Sequence, residues 1–368
     1  MKKLNYKDIV KKARALLHKK PERLGIHLEG SEARIVRLAK SPQGVFKLEA
    51  FERVAFNLAQ PTIEQQRDFV RAVARVGGGL QKVAVNVEDP SLKIRRMVFP
   101  KMPDGDVREA IRWNFRENIE VPIEEYVVGF SPLQEIPEEG KIAVMAFGVS
   151  RKAIANYAER VKALGLKLVS LEPAATAILA AFTLNGVLND DKYHVCVVYG
   201  ESISIFTVMK GSELLFSRPL PNMCQGTLKK NLVRDVGVPE TKIEEMLALW
   251  IKQSPSDSSS EEWAKVAEGD FNSRFMASMT HFYSNFVIEI QRSIDAFCIQ
   301  YDVEQVDLIH VCDIGVRYPG LVRHIERTLG HKAKACNPFV ALCPPDILQG
   351  SILDEAPSYV AAVGLALP

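Results

Sequence analysis

"LGIHLEGSEARIVRLA", residues 24–39, is the stretch on which the fold turns. Leu24 to Leu28 reads as a strand, Gly30 and Ser31 as a turn, and Ala33 to Leu38 as a second strand. A strand–glycine turn–strand hairpin is the outline of a phosphate-binding loop, because glycine lets backbone N–H groups approach an anion. Two residues beside this turn oppose that use. His27 is mostly neutral at pH 7, and Glu29 sets a carboxylate where a phosphate would sit. The hairpin is either a working nucleotide site or only the outline of one.

The figure recurs in the second half. "HVCVVYGESISIFTV" (194–208) is again strand, glycine turn and strand, and laying Gly30 on Gly200 puts Ile35 and Leu38 on Ile205 and Val208. "SELLFSRPLP" (212–221) then answers "VFKLEAFERV" (45–54) as a third strand. Such a repeat predicts a duplicated fold with a cleft between the copies. Strands and helices alternate between and after them, which places the chain in the α/β class. A helix over 62–76 stops at Gly77-Gly78-Gly79, read as a C-cap because a helix C-terminus repels anions. A second helix, 104–119, carries Val107, Ile111, Phe115 and Ile119 on one face. Strands over 125–133 and 142–150, a helix over 151–165 and a strand over 166–173 follow. Beyond the second hairpin come a Ser-rich loop, "KQSPSDSSSEEW" (252–263), a long helix over 279–301, a strand over 306–313 and a helix over 319–330.

The chain's 368 residues exceed what one core usually supports, so two domains are expected. A hydrophobic content of 47% with 25% charged residues is that of a soluble globular protein. The longest apolar run, "AATAILAAFTL" (174–184), is too short to span a membrane and reads as a buried helix. The first residues hold no compact apolar stretch with a cleavage site, so no secretory signal is expected. Cys196, Cys224, Cys298, Cys312, Cys336 and Cys343 form no CxxC, and the histidines no HExxH, so buried thiols and no metal site are expected. These features favour the cytoplasm. The net charge of +2 conceals a basic beginning, since residues 1–23 hold nine Lys or Arg against Asp8 and Glu22. Ile9, Ala13, Leu16 and Leu17 fall at helical spacing there. A basic amphipathic helix over residues 1–20 lies on an anionic membrane surface, or packs exposed on its own domain.

Several stretches, in order, resemble the PilM family of type IV pilus assembly proteins. They are "MVFPKMPDGDVREAIRWNFRENIEVPIEEY" (97–126), "AFGVSRKAIANYAERVKALGLKLVSLEPAATA" (146–177), "LLFSRPLP" (214–221), "EIQRSIDAF" (289–297), "RYPGLVRHIERTLG" (317–330), "NPF" (337–339) and "YVAAVGLAL" (359–367). The cell-division protein FtsA and the cytoplasmic domain of the secretion protein GspL are more distant relatives. The resemblance implies an actin-like fold of two RNase H-like domains with inserted subdomains. The expected division is a basic helix over 1–23, a first domain over 24–190 with an insertion over about 85–150, and a second over 191–368 with a helical insertion over about 222–278. It also implies a partner, the short cytoplasmic tail of the inner-membrane protein PilN, held in a groove between the first domain and its insertion. Arg95, Arg96, Trp113 and Phe115 are the candidate groove residues. Contacts with other pilus inner-membrane or motor components would follow, and no motif points to nucleic acid.

The same resemblance tests the nucleotide site. In actin-like ATPases each phosphate hairpin carries an Asp two residues before a Gly, and the Asp holds Mg²⁺ through water. Here those positions are His27, Leu28 and Glu29, with Gly30 one place late and Ser31 after it. The second hairpin has Val198 in place of the Asp, although Gly200 and Ser202 remain. The adenosine loop reads "CDIGVRYPG", where Asp313 and Ile314 replace glycines and Gly315 survives. Glu172 matches a connecting motif that positions water or metal in relatives. Three parts of one site are altered together, which predicts a pseudo-ATPase adaptor without a cofactor. The alternative is an active actin-like ATPase that binds Mg-ATP, with Glu29 reaching the metal from the face it shares with His27, and that switches or polymerises. A small-molecule kinase on this fold would need a catalytic Asp that no stretch supplies.

Overall fold

The computed structural model describes residues 22–117, 119, 121–133, 140–220, 222–253, 273–344 and 351–368. The basic segment 1–20 and nearly all of the Ser-rich stretch 252–263 lie outside them.

The opening hairpin forms as read. Strands β1 (Leu24–Glu29), β2 (Glu32–Lys40) and β3 (Phe46–Ala55) run antiparallel in sequence. Helix α1 (Ile63–Gly77) then carries the chain to β4 (Lys82–Val87), parallel to β1. Its start is fixed by a capping box: Thr62 Oγ1 accepts from Gln65 N–H at 3.1 Å, and Gln65 Oε1 accepts from Thr62 N–H at 3.0 Å. Thr62→Ala is expected to cost about 1 kcal/mol in a urea titration. The glycine run ends the helix, with Gly78 left-handed at φ 54° and its N–H on Ala74 O.

The chain next leaves the sheet for an insertion: β5 (Lys93–Pro100), α2 (Asp104–Arg116), β6 (Tyr126–Leu133) and β7 (Lys141–Ser150), in the order β5-β7-β6. It has its own core of Phe99, Val107, Ile111, Phe115, Tyr126 and Val144. Helix α2 ends at Arg116, a turn short of Ile119. Phe115 is fully buried in that core, so it cannot line a groove, which corrects the reading from sequence. Helix α3 (Arg151–Ala163) returns the chain to β8 (Lys167–Pro173), parallel to β4, and α4 (Ala174–Leu184) follows.

The figure is then repeated. Strands β9 (His194–Tyr199), β10 (Ser204–Lys210) and β11 (Glu213–Leu220) form the second meander. Helices α5 (Gln225–Val236), α6 (Glu240–Gln253) and α7 (Ser273–Tyr301) lead to β12 (Leu308–Asp313), and α8 (Leu321–Leu329) to β13 (Lys332–Ala335). Helix α9 (Val360–Ala366) closes the chain, buried along its length. The two large sheets share one order, β3-β2-β1-β4-β8 and β11-β10-β9-β12-β13. The copies differ at the turn. Leu28 pairs with Ala33 but Val198 with Ile205, so the second turn is two residues longer. The ungapped superposition of Ile35 on Ile205 is therefore displaced, and the partner of Ile35 is Thr207. A shift of two leaves every side chain on its own face of the sheet.

Candidate functional site

The two glycine turns face each other across the cleft, and each is met by a carboxylate from the other half. Ser31 donates its backbone N–H to Glu201 Oε2 at 2.9 Å, and its hydroxyl lies 3.0 and 2.9 Å from the two Glu201 oxygens. Glu201 is anchored in turn, because its carbonyl accepts from Gly226 N–H at 2.8 Å at the start of α5. In the reverse direction Ser202 N–H points to Glu29 Oε1 at 3.4 Å. A Cβ added at Gly200 would overlap Glu29 Oε1, and one at Gly30, where φ is +57°, would overlap Glu201 Oε2. The room left by each glycine is filled by a glutamate.

Beneath this exchange lies a buried ionic cluster centred on Arg34. The β1–β2 register sets Arg34 opposite His27, on the face that also carries Glu29. Arg34 is 1% exposed and places Nη1 3.2 Å from Glu29 Oε2 and Nη2 3.0 Å from Asp313 Oδ1 and 3.1 Å from Glu32 Oε2. Burial pulls its pKa down, but Asp313, Glu29 and Glu32 more than offset this and keep it charged. Burial, then the Asp313 charge, raises the Glu29 carboxyl well above its ordinary range, and burial raises Asp313 as well. Burial thus favours the protonated form at both carboxyls, which share the single guanidinium of Arg34. Asp313 reaches this position from a left-handed backbone, φ 61° and ψ −146°, a conformation that costs a non-glycine residue about 1–3 kcal/mol.

The hairpin amides at Ser31 and Ser202 are directed at glutamates, and burial favours the protonated form of Glu29. His27 is 4% exposed, and burial, helped by Arg34, lowers its pKa to about 3. Val198 lines the second hairpin with no donor atom. No group of three or more His, Cys, Asp or Glu suited to a metal occurs among the described residues. Glu172 sits on β8, accepts from Ser170 Oγ at 2.6 Å and pairs with Arg23 Nη2 at 3.0 Å. Gly315 lies in a 3₁₀ turn, Ile314–Arg317, packed on Tyr199.

Beside the ionic cluster the cleft widens into a cavity of ≈ 400 Å³, walled by the end of β4, the start of β5, the start of α4 and strands β9 to β11. Arg95 lies at its edge. The other proposed groove residues do not join it. Arg96 stacks its guanidinium on the Tyr301 ring at 4.5 Å, tying the insertion to the second half. Trp113 is 65% exposed on α2 with Arg116 over its ring at 5.3 Å, and Phe115 is internal.

Sequence reasoning missed Arg34 and Glu201 and took Asp313 only as a lost glycine. Arg34 was visible as a charge within the apolar alternation of β2, opposite His27 once the two-residue turn is drawn. Glu201 had no local signal, since its partner is 170 positions away.

Comparison with known proteins shows what the chain is similar to. Residues 256–368 match the family model described as Type IV pilus assembly protein PilM. Among solved structures, the chain is similar to one described as a PilM-PilN type IV pilus biogenesis complex, with 20% identity and a TM-score of 0.78 over 94% of this chain and 98% of that one. It is also similar to the ethanolamine utilization protein EutJ from Carboxydothermus hydrogenoformans, at 14% identity and a TM-score of 0.50 over 95% and 90% of the two chains. No curated protein matches the chain. The fold is actin-like, and the resemblance to PilM read from the sequence is met by both comparisons.

Proposed function

We propose that the protein is a cytoplasmic, non-catalytic adaptor of a type IV pilus or related secretion machine. It grips the cytoplasmic tail of a PilN-like inner-membrane protein and works without ATP. The observation that carries this reading is the exchange of glutamates between the hairpins, which occupies the amides that phosphates would need. Similarity to a PilM-PilN complex along nearly the whole chain supports the choice of partner. No described helix is long and apolar enough to cross a membrane, and the attachment proposed for the protein is through such a partner. The tail belongs between the first sheet and the insertion, where Arg95 offers an exposed charge.

The test is fluorescence anisotropy with a labelled tail peptide from the PilN of the same organism. Saturable binding that Mg-ATP leaves unchanged is expected, and Arg95→Glu is expected to weaken it roughly tenfold, the effect of losing one favourable charge contact. Absence of binding, or binding that requires Mg-ATP, would contradict the proposal.

A further inference from the structure

The cavity beside the ionic cluster is built like a small-molecule site. Its ≈ 400 Å³ falls in the range of pockets that enclose a compact organic ligand. Its walls are apolar, with Leu92 and Ile94 from the insertion, Ile178 from α4, and Val198, Ile203 and Ile205 from the second half. His27, Glu29, Asn86 and Glu88 form a polar floor, and Asp89, Lys93, Arg95, Ser217 and Arg218 also line the cavity. Two of the floor groups are already committed. Asn86 spends its amide on the Leu28 backbone, accepting from N–H at 2.7 Å and donating to O at 2.8 Å. Glu29 is held by Arg34 and Ser202. The other two are buried and unpartnered, at His27 Nδ1 and Glu88 Oε1. Buried polar atoms are rarely left without a partner, so this pair marks a place for a ligand group.

The charges around the floor choose the sign of that group. Glu29, Glu88, Glu201 and Asp313 stand near it, against Arg34 as the cation that faces them. Arg34 is already neutralised within its own cluster. Lys93 and Arg95 lie at the outer edge, and Arg218 there is paired with Glu289 at 3.5 Å. A phosphate or carboxylate would meet repulsion at the floor, whereas an ammonium brings three donors to two vacant acceptors.

We propose that this cavity binds a small organic amine, its apolar body against Ile94, Ile178 and Ile205 and its ammonium donating to Glu88 and to His27 Nδ1. His27 supplies that acceptor as a neutral ring with its proton on Nε2. The site takes in His27, Glu29 and Val198, the hairpin positions that differ from those of actin-like ATPases, and it does not depend on the partner proposed above.

The probe is 2-phenylethylamine, titrated calorimetrically into the full chain beside 2-phenylethanol and 3-phenylpropanoate, which keep the apolar body and change the head. The amine is expected to bind at least tenfold more tightly than the alcohol, and the acid not at all. Glu88→Gln is expected to reduce the amine to the level of the alcohol. Ile94→Trp, which fills the cavity and leaves the floor intact, is expected to abolish binding of both. Equal binding of the three heads, equal amine binding by Glu88→Gln and the parent, or no heat from the amine up to millimolar concentration would each overturn the proposal. Circular dichroism of each variant separates loss of the site from loss of the fold.

Discussion

Replacing Arg34 with alanine is expected to destabilise the fold by about 3–5 kcal/mol, the typical cost of breaking a buried ion pair by removing one partner. Arg34 is the shared partner of Glu29 and Asp313, both nearly fully buried, and of the half-buried Glu32. Its loss leaves Asp313 charged without a counter-ion, on a backbone that is already strained. Urea denaturation would read the change as a lower midpoint. A second variant separates charge from packing. Converting Arg34, Glu29 and Asp313 together to apolar residues of similar volume removes the desolvation cost along with the attraction, and its stability should return to within about 1–2 kcal/mol of the parent. If Arg34→Ala costs less than about 1 kcal/mol, the cluster does not hold the two halves as described.

The second large effect is linked to pH and centres on Glu88. Burial raises its carboxyl from 4.5 to about 7, with Arg34 pulling against the shift and Asp313 and Glu201 adding to it. The folded protein therefore binds a proton that the unfolded chain releases at lower pH. This contribution favours folding least above pH 7. Below about pH 4.5 both states are protonated and no cost arises, and the cost accumulates between pH 4.5 and 7. At pH 8 it amounts to about 3 kcal/mol. Glu88→Gln keeps the shape without the charge, so it should stabilise the protein by an amount approaching this at pH 8. Near pH 4.5 it should leave stability nearly unchanged. Chemical denaturation of both proteins at several pH values checks this, and a difference that is flat with pH would refute the assignment. The same result ensures that any loss of amine binding by Glu88→Gln reflects the missing charge.

The sequence displayed the frame of this fold more clearly than its interior. Both meanders were legible because alternating apolar residues and glycine turns are local signals, and the insertion showed itself through the Val107–Ile111–Phe115 stripe. The C-terminal parts were less visible. Strand β13, "KAKA", is a short edge strand without an apolar run, and α7 starts at Ser273, six residues before the Met279 start read from periodicity. The site divides in the same way. Removal of the metal-binding carboxylates could be read from His27 and Val198 alone. The exchange of carboxylates between the hairpins could not, because it is made by contacts between residues far apart in the chain. Glu29 and Asp313 each looked like a local defect in a loop, and only the folded chain joins them through Arg34. Phe115 illustrates the opposite error, an aromatic residue assigned to a surface when its place on the apolar stripe of α2 marked it for the core.

Calorimetric titration of the full chain with Mg-ATP tests the central claim most directly, namely that carboxylates exchanged between the two hairpins stand in for a nucleotide. No heat of binding is predicted up to millimolar Mg-ATP. Binding at micromolar concentration would contradict the account, since it would require Glu29 and Glu201 to leave Ser202 and Ser31 for a ligand that both carboxylates oppose.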